Sequence, residues 1–230
     1  FPNLKGIFRA GIGRDNVPED EAKERNIYVR YPSQKTIEII FDETASFTCS
    51  LIFRMMYLGP GTIDPWIKYS RHEFSNKTLL VIGKGNIGSR VIKKMKGFMK
   101  VIAFDIIENK LELLPDLLKV ADCISLHIPK NEDNNSFMSK ERLAYMKDGS
   151  ALINTARGSL VDEQALYDEI KNGRIKAAFD VFWNEPYDGK LKEFYPNQFY
   201  MTPHVASTCK GFLIGCRQSL DMLIKELKND

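Results

Sequence analysis

The sequence predicts an α/β fold, a doubly wound parallel sheet accompanied by a second, incomplete domain. Two observations support this prediction. From residue 79 onward, short apolar runs typical of buried strands alternate with helical stretches, and repeated β–α units form a parallel sheet with helices on both faces. Before residue 79 the pattern differs, because a short strand runs into a loop too rich in glycine for the interior of an element.

The first part of the chain is expected to hold two short strands and two helices. They are a strand at 4–8, a charged helix at 19–26, a strand at 27–29 and a helix at 43–56. The last helix is apolar on more than one face, with Phe47, Leu51, Ile52 and Met55. Such a helix is buried between two lobes or against another subunit. We expect a two-fold homodimer with this helix near the interface.

The second part is expected to alternate strands with helices. Strands are predicted at 79–82, 101–104, 123–128, 151–154, 176–181 and 199–201, and helices after Gly88, at 139–146 and at 162–172. Ser139 is a suitable helix N-cap, and Gly173 is a suitable C-cap for the last of these helices.

Composition excludes several classes of function. The chain has 230 residues, 43% of them apolar and 27% charged, which suits a globular protein of more than one lobe. A net charge of +3 gives no argument for nucleic acid, and no apolar run approaches the length of a membrane span. The N-terminus is unlike a signal peptide, and the four cysteines lack metal-ligand spacing. We therefore expect a cytoplasmic protein with reduced cysteines and no metal.

The strongest motif is the glycine turn after the strand at 79–82. Gly83 permits a tight turn, Gly85 lets the backbone approach a pyrophosphate, and Gly88 lets helix and strand pack closely. The following helix N-terminus offers free N–H groups to phosphates. Asp105, at the end of the next strand, can accept the ribose hydroxyls of NAD and repel the 2′-phosphate of NADP. This context favours a Rossmann-type NAD site over a merely structural strand–helix turn.

Three polar residues follow the later strands, where ligands of a parallel sheet bind. They are Arg157, Glu185 and His204. An arginine can hold a carboxylate, a histidine can supply a proton as hydride arrives, and a neighbouring carboxylate favours the protonated histidine and fixes its tautomer. This set suits reversible carbonyl reduction. Taken singly, the histidine could be an ordinary loop residue, and the other two could be exposed charges.

These residues resemble the D-isomer-specific 2-hydroxyacid dehydrogenase family over nearly the whole chain. Besides the glycine turn with Asp105, the matching motifs lie at 121–129, 146–149, 152–158, 161–163, 179–182, 185–186 and 202–204. The resemblance implies Arg157 as the substrate-binding arginine, His204 as the acid/base and Glu185 as its partner. It also implies NAD contacts by Asn86, Ile87, Ile128, Thr155, Ala156 and Asp180, the last on the nicotinamide carboxamide.

The loop at 9–17 resembles that of 3-phosphoglycerate dehydrogenases, where it faces the substrate. The resemblance implies substrate contacts by Arg9, Gly11, Ile12 and Gly13. Arg9 could meet a phosphate, and a surface role is the alternative. The expected substrate is thus a small D-2-hydroxy or 2-oxo acid, with 3-phosphoglycerate, a substrate of serine biosynthesis, as the first candidate.

The resemblance also implies the domain organisation. Residues 34–208 would form the dinucleotide-binding domain, and 1–33 with 209–230 a partial, flavodoxin-like substrate domain. A family member would have a segment before Phe1, so the chain is a fragment, a sequence with unobserved parts dropped, or a reduced relative. Two rival functions stay open: a non-catalytic, corepressor-like NAD sensor and an inactive truncated relative.

Overall fold

The computed structural model describes residues 1–14 and 16–229, so Asp15, which belongs to the predicted substrate loop, lies outside the described residues. The chain forms two compact units, Ala45–Ala206 and a smaller one made of Phe1–Thr44 with Ser207–Asp230. The domain limits expected from the sequence, at residues 34 and 208, stay a prediction. No helix among the described residues is long and apolar enough to cross a membrane.

The larger unit is built on a six-stranded parallel sheet. Its strands are β5 (Thr78–Ile82), β6 (Lys100–Phe104), β7 (Cys123–Leu126), β8 (Ala151–Asn154), β9 (Lys176–Phe179) and β10 (Phe199–Met201). They lie in the order β10-β9-β8-β7-β5-β6. The chain leaves β5 for β6 on one side and then continues to β7 on the other. This reversal opens a crevice at the carboxyl ends of the strands, the usual ligand site of such sheets. The predicted α/β Rossmann fold is confirmed.

The helices of this unit cover both faces of the sheet. They are α3 (Asn86–Met95), α4 (Leu114–Val120), α5 (Lys140–Tyr145) and α6 (Glu163–Lys171). Neighbouring residues of β5 enter different cores: Leu80 and Ile82 belong to one buried cluster, and Leu79 and Val81 to another. Because the strand is buried on both faces, its sequence is continuously apolar rather than alternating.

Short elements complete the two units. The smaller one has β1 (Gly6–Phe8) paired in parallel with β2 (Tyr28–Arg30), and α1 (Glu19–Glu24). In the larger unit, β3 (Gly61–Thr62) and β4 (Ile67–Lys68) form an antiparallel hairpin that was not predicted from the sequence. The predicted strands at 123–128 and 176–181 are shorter, since their last two residues already belong to the loops that carry the site.

Two helices differ more from expectation. The helix predicted at 43–56 is α2 (Gln34–Met56), nine residues longer at its start. The Ser33 hydroxyl accepts a hydrogen bond from the Thr36 N–H (3.3 Å) and so caps the helix. The β-branched residues that follow hid this start, because they favour strands. The helix α7 (Lys210–Asn229) was not predicted, although Phe212, Cys216, Ser219 and Leu223 recur at helical spacing and are buried.

Candidate active site

The three candidate catalytic residues follow three adjacent strands. Arg157 lies after β8, Glu185 after β9 and His204 after β10, and β9 pairs in parallel with both of its neighbours. The carboxyl ends of parallel strands lie at one edge of a sheet, so these loops lie at the same edge.

The structure brings Glu185 and His204 into direct contact. One carboxylate oxygen, Oε2, lies 2.8 Å from His204 Nδ1, and the other accepts the Phe182 N–H at 3.0 Å. The side chains are 38% and 49% exposed, respectively, so the pair stands at the surface of this unit. With Nδ1 directed at the carboxylate, Nε2 is the ring nitrogen that can exchange a proton with a ligand.

Asp180 holds the loop that carries His204. Its carboxylate is fully buried and accepts hydrogen bonds from the Thr202 hydroxyl (2.6 Å) and from the N–H groups of Val205 and Ala206 (2.9 Å each). Burial raises the pKa of Asp180, and the hydrogen bonds oppose that rise. The backbone of His204 is left-handed, with φ at 53°. A residue other than glycine keeps this conformation only where its surroundings fix it, and Asp180 does so here.

Arg157 lies in a turn fixed by a buried asparagine. The Asn154 amide donates to the Arg157 carbonyl (2.8 Å), and its oxygen accepts the Ala156 N–H (3.0 Å). The Arg157 guanidinium donates through Nη1 to the Ala156 carbonyl at 2.8 Å. Arg157 is thus placed at the same sheet edge as the Glu185–His204 pair.

A cavity of about 490 Å³ adjoins the pair. Phe182, Tyr187, Tyr195 and Met201 line it together with Glu185 and His204. It has room for a small organic acid next to the two titratable side chains.

The glycine turn has the geometry that its sequence predicts. Gly83 has φ at 96°, and a Cβ there would lie 2.6 Å from the His127 carbonyl oxygen, while a Cβ on Gly88 would lie 2.0 Å from the Gly83 carbonyl oxygen. Both positions therefore need glycine for reasons internal to the fold. A Cβ on Gly85 would meet no atom of the described residues within 4 Å. The space beside Gly85 suits the close approach of a ligand.

Asp105 faces this turn. Its carboxylate accepts the Lys84 N–H at 2.7 Å and the Ile107 N–H at 3.1 Å. The Lys84 ammonium extends to Glu108, 2.6 Å away, which gives this polar residue of the glycine turn a partner at the surface. A carboxylate has further acceptor sites beyond these two bonds, so Asp105 can also accept the hydroxyls of a ribose.

Gly85 is also the N-cap of α3, and no side chain among the described residues caps that helix. The exposed Asn86 and half-buried Ile87 open its first turn, whose N–H groups suit a phosphate. The residues around this site therefore fit a bound dinucleotide.

Other predicted cofactor contacts lie at neighbouring strand ends. Ile128 follows β7 and is half-buried, and Ala156 is half-buried after β8. Thr155 is buried, with its hydroxyl 2.8 Å from that of Thr48.

Sequence reasoning did not single out His127. Its Nε2 lies 2.8 Å from the Ser125 hydroxyl, and burial lowers its pKa to about 3, so the ring stays neutral beside the glycine turn. Its position at the end of a predicted buried strand was the sequence feature that could have marked it as a candidate site residue.

Arg9 belongs to the smaller unit. Its Nε donates to the Gly13 carbonyl (3.2 Å) and to the Asn16 side chain (3.1 Å), and its Nη1 to the Ala10 carbonyl (2.9 Å). The guanidinium also packs on Gly11, where a Cβ would lie 3.1 Å from Nη1. Arg9 therefore braces its own loop, which includes Ile12, a half-buried residue packed on the core of this unit.

Comparison with known proteins identifies the class. Residues 63–206 match the family model of the D-isomer specific 2-hydroxyacid dehydrogenase NAD-binding domain. This match covers more than half of the chain, so the chain belongs to the D-isomer specific 2-hydroxyacid dehydrogenase family. The predicted family and NAD-binding domain are confirmed.

Individual relatives differ in their substrates. The chain is 35% identical to a hydroxypyruvate reductase of Thermotoga maritima, over 98% of this chain and 78% of that protein. It is 36% identical to a D-3-phosphoglycerate dehydrogenase of Methanocaldococcus jannaschii, over 80% of this chain but only 38% of that protein. A D-lactate dehydrogenase from Aquifex aeolicus, solved with NAD and lactic acid, is 28% identical with a TM-score of 0.81, over 99% of this chain and 77% of that one.

Proposed function

We propose that this chain carries the cofactor-binding and acid/base parts of a dehydrogenase that moves hydride between nicotinamide and a small D-2-hydroxy acid. The observation that carries the proposal is the 2.8 Å contact between Glu185 and His204, at the sheet edge that also bears the glycine turn. A histidine with a carboxylate on Nδ1 and an available Nε2 is equipped for proton transfer in water.

Each residue has a distinct role in this proposal. Bound NAD would accept or supply the hydride. His204 Nε2 would take the proton of the substrate hydroxyl in oxidation and return it in reduction. Glu185 stabilises the protonated ring, and Arg157 would bind the substrate carboxylate with its planar fork of donors. Gly85, Asn86, Ile87, Asp105, Ile128, Thr155, Ala156 and Asp180 would lie along the cofactor.

For the substrate, we propose 3-phosphoglycerate as the first candidate. The support is a cation, Arg9, in a glycine-containing loop of the kind whose N–H groups can bind an anion, although the Gly11 N–H itself donates to the Arg9 carbonyl at 3.0 Å. Gly11 and Gly13 add no side chains to this loop, and the bonds of Arg9 to the described residues use its Nε and Nη1. Its Nη2 would be the group that meets a second anion on the substrate.

For assembly, we propose a homodimer in the cytoplasm. Leu51, Ile52 and Met55 of α2 are buried within the larger unit, so their burial does not require a second subunit. Exposed apolar residues of the hairpin segment, Ile63 (82%) and Trp66 (77%), suit contact with a second copy. Light scattering at micromolar concentration tests this proposal, and a clean monomer would contradict it.

The activity is tested with His204→Ala, using the exposed His72→Ala as the matched control. NADH absorbance follows turnover on 3-phosphoglycerate, glycerate, glycolate and lactate, and calorimetry follows NAD binding. We expect His204→Ala to keep NAD affinity and to lose ~10²–10⁴-fold in turnover. Turnover equal to the control would contradict the assignment of His204, and a parent that binds NAD without turnover would favour the sensor or the inactive relative.

The substrate is tested with Arg9→Ala. Removing a charge-assisted contact costs ~1.5–3 kcal/mol. The loss in kcat/KM should therefore be larger for 3-phosphoglycerate than for glycerate. Equal losses would assign Arg9 to loop bracing alone.

A further inference from the structure

We propose that Tyr187 is a positioning residue for Glu185: its hydroxyl, bonded to Glu163 at the start of α6, fixes the loop that directs the Glu185 carboxylate at His204. This proposal rests on the proposed function of the Glu185–His204 pair. Its central observation is the hydrogen bond that Tyr187 Oη donates to Glu163 Oε1 at 2.7 Å, which ties the loop after β9 to a helix after β8.

The loop needs such an anchor because the catalytic pair does not hold itself in place. Glu185 and His204 are 38% and 49% exposed in their side chains. Ion pairs this open to water contribute about 0–1 kcal/mol, since solvent screens them and fixing the side chains costs entropy. The direction of the Glu185 carboxylate must therefore come mainly from its backbone and from the Phe182 N–H that binds Oε1.

Tyr187 acts on both ends of this short loop. Its own backbone lies two residues beyond Glu185, and its ring stacks on that of Phe182, with centroids 4.8 Å apart and planes 20° from parallel. Phe182 is the residue whose N–H binds Glu185. The Trp183 indole N–H donates to the Val161 carbonyl at 2.7 Å and anchors the same loop independently.

The backbone at Gly189, two residues after Tyr187, leaves room for the Tyr187 hydroxyl. A Cβ on Gly189 would lie 2.2 Å from Tyr187 Oη, although the φ of Gly189, −86°, is open to any residue. A side chain at 189 would therefore displace the phenol from its present place, so glycine there leaves room for Tyr187 rather than forming a turn. Burial raises the pKa of Tyr187, and the bond to Glu163 raises it further, so the hydroxyl remains a donor throughout the neutral range.

The test compares Tyr187→Phe with Tyr167→Phe. Tyr187→Phe keeps the stacked ring and removes only the hydroxyl. Tyr167→Phe removes a tyrosine–glutamate hydrogen bond to Glu193, next to the same region but outside the Glu185 loop. For Tyr187→Phe we expect kcat to fall about three- to tenfold, a part of the full acid/base contribution, with NAD affinity within about twofold of the parent. The control should match the parent in both.

A conservative series separates positioning from stability. Glu163→Gln keeps an acceptor oxygen and should retain most of the parent's kcat, whereas Glu163→Ala should lower kcat in the same direction as Tyr187→Phe. Tyr187→Phe removes the bond to Glu163 and also the contact of the hydroxyl with the Leu191 backbone N–H. The double variant Tyr187→Phe with Glu163→Ala should therefore be no worse than Tyr187→Phe alone. Additive losses would overturn the proposal.

The NMR signals of the histidine rings give a readout independent of turnover. The ring of His204 contacts Glu185 through Nδ1, so the shift of that nitrogen reports whether the contact is kept. In Tyr187→Phe, we expect the Nδ1 signal of His204 to move in the same direction as in Glu185→Gln. A Nδ1 signal and a kcat unchanged from the parent would refute the role of Tyr187. A parent without turnover in which Tyr187→Phe still moves the signal would refute only the proposed function.

Discussion

Thr202→Val tests whether the buried Asp180 holds the His204 loop. Valine keeps the β-branched shape of threonine and removes the hydroxyl that lies 2.6 Å from the Asp180 carboxylate. The backbone N–H groups of Val205 and Ala206 remain bound to Asp180, so the change removes one of three contacts. We expect a less stable protein with a misplaced His204.

The magnitude follows from the charge and burial of the acceptor. Asp180 is fully buried, and hydrogen bonds to charged groups contribute ~1.5–3 kcal/mol, so the free energy of unfolding should fall by about 2 kcal/mol. The bond to Thr202 lowers the pKa of Asp180, which burial raises, so removing it raises that pKa further. A carboxyl group whose pKa is higher in the folded than in the unfolded state stabilises the folded protein at low pH. This stabilisation is lost as the pH rises. The difference in the free energy of unfolding between the parent and Thr202→Val should therefore shrink as the pH falls toward the pKa of Asp180.

The assay is urea unfolding followed by tryptophan fluorescence, because Trp66 and Trp183 both belong to the larger unit. The control is Thr62→Val, which removes a hydroxyl bonded to the neutral Pro65 carbonyl in the exposed hairpin. It should change stability by about 0.5 kcal/mol or less. Equal deficits in the two variants, or a Thr202→Val deficit that is the same at neutral and acid pH, would refute the reasoning. Turnover should fall in Thr202→Val only.

Three further predictions concern single side chains. Asp105→Ala should weaken NAD binding and narrow its advantage over NADP in calorimetry, and comparable parent affinities for both cofactors would mean that Asp105 does not face the ribose. Glu185→Gln should lower turnover by less than His204→Ala does, because glutamine keeps an oxygen for the His204 ring and loses only the charge, and turnover equal to the parent would contradict the role of the pair. The pKa of His127 is about 3 in the folded protein, so below the unfolded pKa the unfolded state binds a proton that the folded state does not bind. The free energy of unfolding of the parent should therefore fall by about 2 kcal/mol between pH 8 and about pH 5, and that of His127→Asn should lack this fall. Parallel curves of unfolding free energy against pH would contradict this prediction.

The sequence predicted the elements whose signal is local. The strands from β5 to β10 are apolar runs bounded by turn residues. The spacing of Gly83, Gly85 and Gly88 predicts the geometry of the glycine turn. Because all these strands are parallel, the residues after each of them fall at one edge. That topology predicted that Glu185 and His204 lie at the same edge of the sheet, whereas their pairing was implied only by the resemblance to the family.

The parts that the sequence did not predict depend on contacts distant along the chain. The start of α2 was hidden by isoleucines that favour strands locally, although Ile40 of this stretch is buried in the smaller unit. The role of Asp180 as the anchor of the His204 loop rests on donors 22 to 26 residues away. Tyr187 and Glu163 are likewise 24 residues apart. No local pattern marks such pairs, because only tertiary packing brings them together.

These anchors explain how the half-exposed Glu185–His204 pair, the proposed acid/base pair, can keep a fixed geometry. The Glu185–His204 contact lies in water, and a left-handed His204 costs about 1 kcal/mol or more, so the pair alone would not keep its geometry. Polar bonds that are at least partly buried hold the loop of each partner: Asp180 holds the backbone after His204, and Tyr187 with Glu163 holds the loop of Glu185. Buried hydrogen bonds to carboxylates are strong where surface ones are weak, because water does not compete with them. The free energy that aligns the two proposed proton-transfer groups therefore comes from contacts one residue layer beneath them.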